Sequence, residues 1–135
     1  MGYTHYWRRE DTTIDPEVWT GFATEVTAII NDAIRHDIAI AGPLGDGDAQ
    51  IDTELVAFNG RSPDDYESFV ITRAAQGRTF GFCKTEHRMY DPVVLAVMAA
   101  AEAHLGFTLE SDGGETALNA GRIVRKAFEA ARTVK

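Results

Sequence analysis

The sequence predicts a single α+β domain, with three helices on a mixed or antiparallel sheet of roughly five to six strands, in the order β-α-β-β-β-β-α-β-α. Three observations lead there. Two stretches carry helical apolar spacing between recognisable start and stop residues. Short β-branched and aromatic runs, separated by turn residues, fill the region between them. The length, 135 residues, is that of one domain able to bury its own core.

Thr4–Arg9 reads as the first strand, with Tyr3, His5 and Trp7 on one face and Thr4, Tyr6 and Arg8 on the other. A helix follows. Asp15 is a good N-cap, Pro16 suits the first helical position, and Trp19, Phe22, Val26, Ile29, Ile30 and Ala33 form an apolar stripe that ends near His36. Ile38–Ala41 is a short apolar strand, and Gly42–Asp48 is a loop by composition. Thr53–Phe58 leads into Asn59-Gly60, a turn dipeptide. Glu67–Arg73 and Arg78–Lys84 are further strands, with Gln76-Gly77 as a tight turn between them. The second helix takes Asp91 as N-cap and Pro92 in its first turn, is apolar nearly all round through Ala101, and stops at Gly106. Phe107–Glu110 is the last strand, Ser111–Gly114 a turn, and Glu115–Arg132 a final amphipathic helix.

Hydrophobic residues at 44% and charged residues at 25% are ordinary for a folded domain. The net charge of −8 argues against nonspecific duplex binding, which needs cations to displace phosphate counterions. It leaves room for a local basic pocket. Cys83 is the single cysteine, so no internal disulfide forms, which fits a cytoplasmic setting. Met1–Arg9 lacks the apolar region of a signal peptide, and Tyr6 stands where a myristoylation signal has Ser or Thr. The longest apolar run, Val93–Ala101, is too short to span a bilayer.

The most site-like stretch is Gly81–Asp91, which leaves a strand, enters a buried helix and concentrates polar side chains. Lys84 and Arg88 suit a phosphate or carboxylate, with solvated surface charge as the alternative. Cys83 reads either as a nucleophile with His87 as base or as a small buried residue. His36 and His104 fall in last helical turns, where a cation is favoured in any case. No Cys-x-x-Cys or His-Glu-x-x-His spacing occurs, so no metal or cofactor is expected. Asp46–Asp52 lacks the sixth-position glycine and closing glutamate of a calcium loop, and Gly42–Gly47 lacks a P-loop ending. Tyr3, His5 and Trp7 form either core or an aromatic wall for a ligand. Asn59 and Glu67 offer an amide and a carboxylate to the same pocket, the turn role competing for Asn59.

Gly2-Tyr-Thr-His-Tyr-Trp7, Phe58-Asn-Gly60, Glu67-Ser-Phe69, Phe82-Cys-Lys-Thr85, Tyr90-Asp91 and Ser111-Asp-Gly113 together give the chain a likeness. It resembles, over nearly its whole length, a family of small proteins met in tailed bacteriophages, prophages and bacterial genomes. The resemblance implies a phage or mobile-element setting, hence a host cytoplasm, and carries no mechanism with it. Small accessory proteins in that setting often counter host defence, some by sequestering nucleotide-derived signals.

The expectation is therefore a homo-oligomeric protein that binds a small anionic, nucleotide-like ligand, without duplex nucleic acid or membrane. The ligand-binding candidates are Tyr3, His5, Trp7, Asn59, Glu67, Lys84, Thr85, Arg88 and Tyr90. Two alternatives stand beside it. One is a small hydrolase or transferase using Cys83 with His87 or His5, or Glu67 as general base. The other is a protein–protein inhibitor or virion-assembly factor that uses the acidic surface.

Overall fold

A computed structural model describes residues 2–133; Met1, included in the signal and myristoylation readings, lies outside the described residues. The fold is α+β, with three helices and seven strands in two antiparallel sheets. The order is β-α-β-β-β-β-β-α-β-α, one strand more than the sequence predicts.

The first sheet has β1 (Thr4–Arg8) between β6 (Phe80–Lys84) and β7 (Thr108–Ser111). His5 lies opposite Cys83 and Ser111, and Trp7 opposite Gly81 and Leu109. The alternation read from the sequence holds: His5 and Trp7 are buried, while Arg8 is exposed. Gly81 is required at its position, because a Cβ there would run into the Trp7 indole.

The second sheet is built on β4 (Leu55–Gly60). β2 (Ile40–Ala41) and β3 (Gln50–Ile51) pair along one edge, and β5 (Phe69–Thr72) along the other. Asn59-Gly60 is therefore the buried end of a central strand, not a turn. The Asn59 side chain supplies bonds that hold the strand end: Nδ2 donates to Pro43 O and Tyr66 O, and Oδ1 accepts from Gly60 N and Tyr66 N. β3 lies in a polar stretch with no strand-like pattern of its own and exists through its pairing with β4. The tight turn at Gln76-Gly77 is present, with both residues at positive φ (52° and 79°) and Arg78 N donating to Ala75 O. It carries the chain from one sheet to the other, because β5 pairs with β4 and β6 with β1.

α1 (Pro16–Arg35) starts as predicted, with Asp15 Oδ1 accepting from Glu17 N at 2.9 Å. Its buried stripe is Trp19, Phe22, Val26, Ile29, Ile30 and Ala33. α2 (Asp91–Leu105) is buried from Val93 through Ala101 and ends on Gly106 in the left-handed region. α3 (Gly114–Thr133) closes against α2, and the approach at Gly121 leaves no room for a side chain against Leu95. Trp7, Phe69 and Phe58 join the two sheets, with ring centroids 4.9 and 5.0 Å apart along the row. Glu25 of α1 receives His104 of α2 (2.8 Å) and both Nε and Nη2 of Arg125 of α3, tying the three helices together.

Candidate functional site

The β1–β6 register brings the N-terminal strand and the Cys83–Asp91 segment into one place. Tyr3 O accepts from Thr85 N (3.0 Å) and Glu86 N (3.3 Å), and Tyr3 N donates to Glu86 Oε1 at 2.8 Å. The Tyr3 ring stacks on His87, centroids 3.6 Å apart. Glu86 and His87 hold φ at 50° and 58°, a left-handed pair without glycine, which is strained backbone.

Behind this stack lies a buried polar network. His5 is 0% exposed, with Nε2 2.6 Å from Asp91 Oδ1 and Nδ1 2.8 Å from Ser111 Oγ. The Thr85 hydroxyl donates to the same Asp91 oxygen, and Ser111 Oγ accepts from Gly113 N at 2.9 Å. An ionised carboxylate only accepts, so Nε2 carries the hydrogen. Asp91 is a correction to the sequence reading. It is the first residue of α2 and makes no capping bond; Tyr90 occupies the N-cap position. Its charge still benefits from the helix N-terminus. Burial raises the pKa of the nearby Tyr3 hydroxyl, and Asp91 raises it further.

Cys83, Glu67 and Tyr90 form a neighbouring knot. Glu67 O accepts from Tyr90 Oη (2.6 Å) and the Cys83 thiol (3.4 Å), while Glu67 Oε1 accepts from Lys84 N at 2.7 Å. Burial pushes the Cys83 thiol up to about 12, so it stays protonated at neutral pH. Burial likewise raises the Tyr90 hydroxyl, with Cys83 adding to the effect. Five of the nine candidates, namely His5, Trp7, Asn59, Thr85 and Tyr90, are buried, while Tyr3 and Glu67 are half-buried, each bonded to its own neighbours.

Lys84 and Arg88 stand elsewhere, flanking the exposed Tyr66 ring at 5.8 and 5.6 Å from its centroid. Lys84 also continues the outer face of the first sheet, which carries Tyr6, Phe80 and Phe82 in a row. Tyr6 and Phe80 lie 6.0 Å apart and near parallel, Phe80 and Phe82 6.2 Å apart, and the Arg8 guanidinium sits 4.7 Å over Phe80. Phe80 is 44% and Phe82 55% exposed. Neither phenylalanine is among the ligand-binding candidates singled out from the sequence. The available signal was their alternation with buried Cys83, continued by Lys84.

Between β5 and β6 the two sheet edges part around a cavity of about 290 Å³ lined by Trp7, Arg9, Val70, Arg78, Phe80 and Phe82 among others, with no carboxylate in its lining. Its walls present backbone groups. Arg9 N bonds Thr79 O and Thr85 N bonds Tyr3 O, so the alternation of an antiparallel ladder turns the amides of Phe80 and Phe82 away from β1. By the same parity, Arg73 N bonding Glu54 O turns the Val70 amide away from β4.

Among the described residues no cluster of three or more His, Cys, Asp or Glu is placed to hold a metal ion, and no helix is long and apolar enough to cross a membrane. No family model, curated protein or solved structure matches the chain.

Proposed function

We propose that the chain binds a small anionic, nucleotide-derived ligand on the outer face of the first sheet and in the adjoining cavity. The observation that carries this reading is the exposed row Tyr6–Phe80–Phe82 with Arg8 above it and Lys84 beside it. Aromatic side chains stack planar bases at about 1–3 kcal/mol each, largely without regard to which base. Arg8, Lys84, Arg78 and Arg88 supply donors for phosphate oxygens. The cavity lining holds Arg9 and Arg78 and no carboxylate, which favours an anion at that end of the row, while at the other end the Tyr6 hydroxyl donates to Asp112 and Glu110 stands opposite Tyr6. Free amide groups of Val70, Phe80 and Phe82 would read the edge of a base in the cavity. In the phage setting suggested by the resemblance, such binding amounts to sequestration of a nucleotide signal.

The proposed site keeps one residue of the expected aromatic wall, Trp7, which lines the cavity, and leaves Tyr3 and His5 outside it. A cysteine-based hydrolase is disfavoured by the protonated Cys83 thiol. Isothermal titration against mononucleotides, cyclic di- and trinucleotides and ADP-ribose derivatives is the test. Binding of at least one at micromolar concentration is expected, and silence across the panel removes the reading. A host protein captured on the same face, with no nucleotide bound, would move the function to protein recognition.

A further inference from the structure

On the inner side of β1, three side chains from three separate elements stand in line. Ser111 Oγ of β7 lies 2.8 Å from Nδ1 of His5 of β1, whose Nε2 lies 2.6 Å from Oδ1 of Asp91 at the start of α2. With Asp91 ionised and the imidazole neutral, the hydrogens fit one arrangement. Asp91 Oδ1 accepts from His5 Nε2 and from the Thr85 hydroxyl. In a neutral imidazole, Nδ1 then has a lone pair directed at the Ser111 hydroxyl, while Gly113 N donates into Ser111 Oγ from the other side. A hydroxyl facing an imidazole lone pair, with the imidazole oriented by a second-donor-stabilised carboxylate, has the parts of nucleophile, base and orienting acid, with the two ring nitrogens exchanged relative to the serine-protease triad.

The surroundings match that chemistry. Ser111 stands three residues before Gly114, where α3 begins, and first-turn amides of a helix lack intrahelical acceptors and suit a developing oxyanion. Of the three side chains only Asp91 lines the neighbouring cleft of about 200 Å³ between α2 and α3, together with Tyr3, Leu95, Ala117, Gly121 and Val124; Ser111 lies beside it, next to Tyr3. The cleft is apolar and small. Tyr3, positioned beside Gly113 and Ser111, is held by the His87 ring on the strained Glu86-His87 pair.

We propose that Ser111, His5 and Asp91 form an acyl-transfer site for esters of small apolar acids. Ser111 Oγ attacks the acyl carbon and its proton passes to His5 Nδ1. The ester C–O bond breaks and the leaving alcohol takes that proton, leaving the acyl group on Ser111. Water then attacks the acyl carbon, giving a proton to His5 Nδ1. The carboxylic acid departs and Ser111 Oγ recovers the proton, with no net oxidation or reduction. Ser111 is the nucleophile, His5 the base, and Asp91 a positioning residue acting through His5.

The test treats the full chain with a fluorophosphonate ester and locates the adduct by peptide mass. A single adduct on Ser111 is expected, absent in Ser111→Ala and formed at least about 100-fold more slowly in Asp91→Asn, which keeps the shape but not the charge. No adduct on Ser111 in the folded wild type overturns the proposal. So does a labelling rate unchanged in folded Asp91→Asn. If Asp91→Asn fails to fold, Ser111→Cys decides. Its new thiol should react with iodoacetamide faster in the folded chain than in the unfolded one, whereas a merely structural side chain reacts more slowly when folded. Hydrolysis of p-nitrophenyl acetate, lost in Ser111→Ala, reads the substrate class. Because the array lies behind β1 and the aromatic row in front, failure here leaves the ligand-binding reading standing.

Discussion

Replacing Asp91 by alanine separates two roles that differ severalfold in energy. As a helix cap alone, Asp91 would be worth about 1 kcal/mol. In the structure its Oδ1 instead accepts from His5 Nε2 and the Thr85 hydroxyl, and both residues are 0% exposed. Removing the carboxylate strands two buried donors, each costing about 1–3 kcal/mol. The sum, about 2–6 kcal/mol, is a large part of the 5–15 kcal/mol typical of a domain. Urea unfolding at neutral pH, with an unchanged m-value as a check on two-state behaviour, measures it. Asp91→Asn keeps an acceptor oxygen and should lose much less. Thr85→Val combined with Asp91→Ala should give a coupling energy of about 0.5 kcal/mol or more. A loss of about 1 kcal/mol or less for Asp91→Ala, with no coupling to Thr85, would refute the network and restore the cap.

Two further outcomes follow from the packing and charge. Gly81→Ala drives a methyl group into the Trp7 indole and should cost about 1–3 kcal/mol, read as a lower Tm with altered tryptophan fluorescence. Burial acts to raise the pKa of Glu25, but its bonds to Arg125 and His104 outweigh that and hold the folded value below the ordinary carboxylate range. The stability this brings is fully present above the unfolded pKa and is lost as pH falls through the depressed folded one. Glu25→Gln should therefore flatten the acid limb of the stability–pH curve while lowering stability at neutral pH.

What was legible in the sequence was what local chemistry decides. Asp15 caps α1 through a bond to Glu17, two residues away, and Gly106 ends α2 by adopting the left-handed region. The alternation of β1 depended only on neighbouring residues. Asp91 was misread because its partners arrive from elsewhere: His5 is 86 positions away in the chain. Asn59-Gly60 carries the composition of a turn, but the Asn59 amide satisfies backbone groups at the end of a central strand, a role visible only once Pro43 and Tyr66 are in place. Glu67–Arg73 and Arg78–Lys84 read as neighbours around a tight turn, yet β5 and β6 took partners in different sheets. The site was legible in its segments and not in its faces. The two stretches singled out do meet, through the β1–β6 register, but the binding-type side chains expected to face a ligand mostly face one another. The outer row Tyr6–Phe80–Phe82 was hidden because alternation tells which residues share a face, not which face is left to solvent.

The most direct test of that assignment of faces is a titration of the best-bound nucleotide against wild type, Phe82→Ala and Thr85→Val. Loss of a stacking ring should weaken binding by about 1–3 kcal/mol, roughly tenfold to a hundredfold. Thr85→Val, altering only the buried network, should bind as wild type does. Full binding by Phe82→Ala with loss in Thr85→Val would place the ligand on the inner face and contradict the assignment.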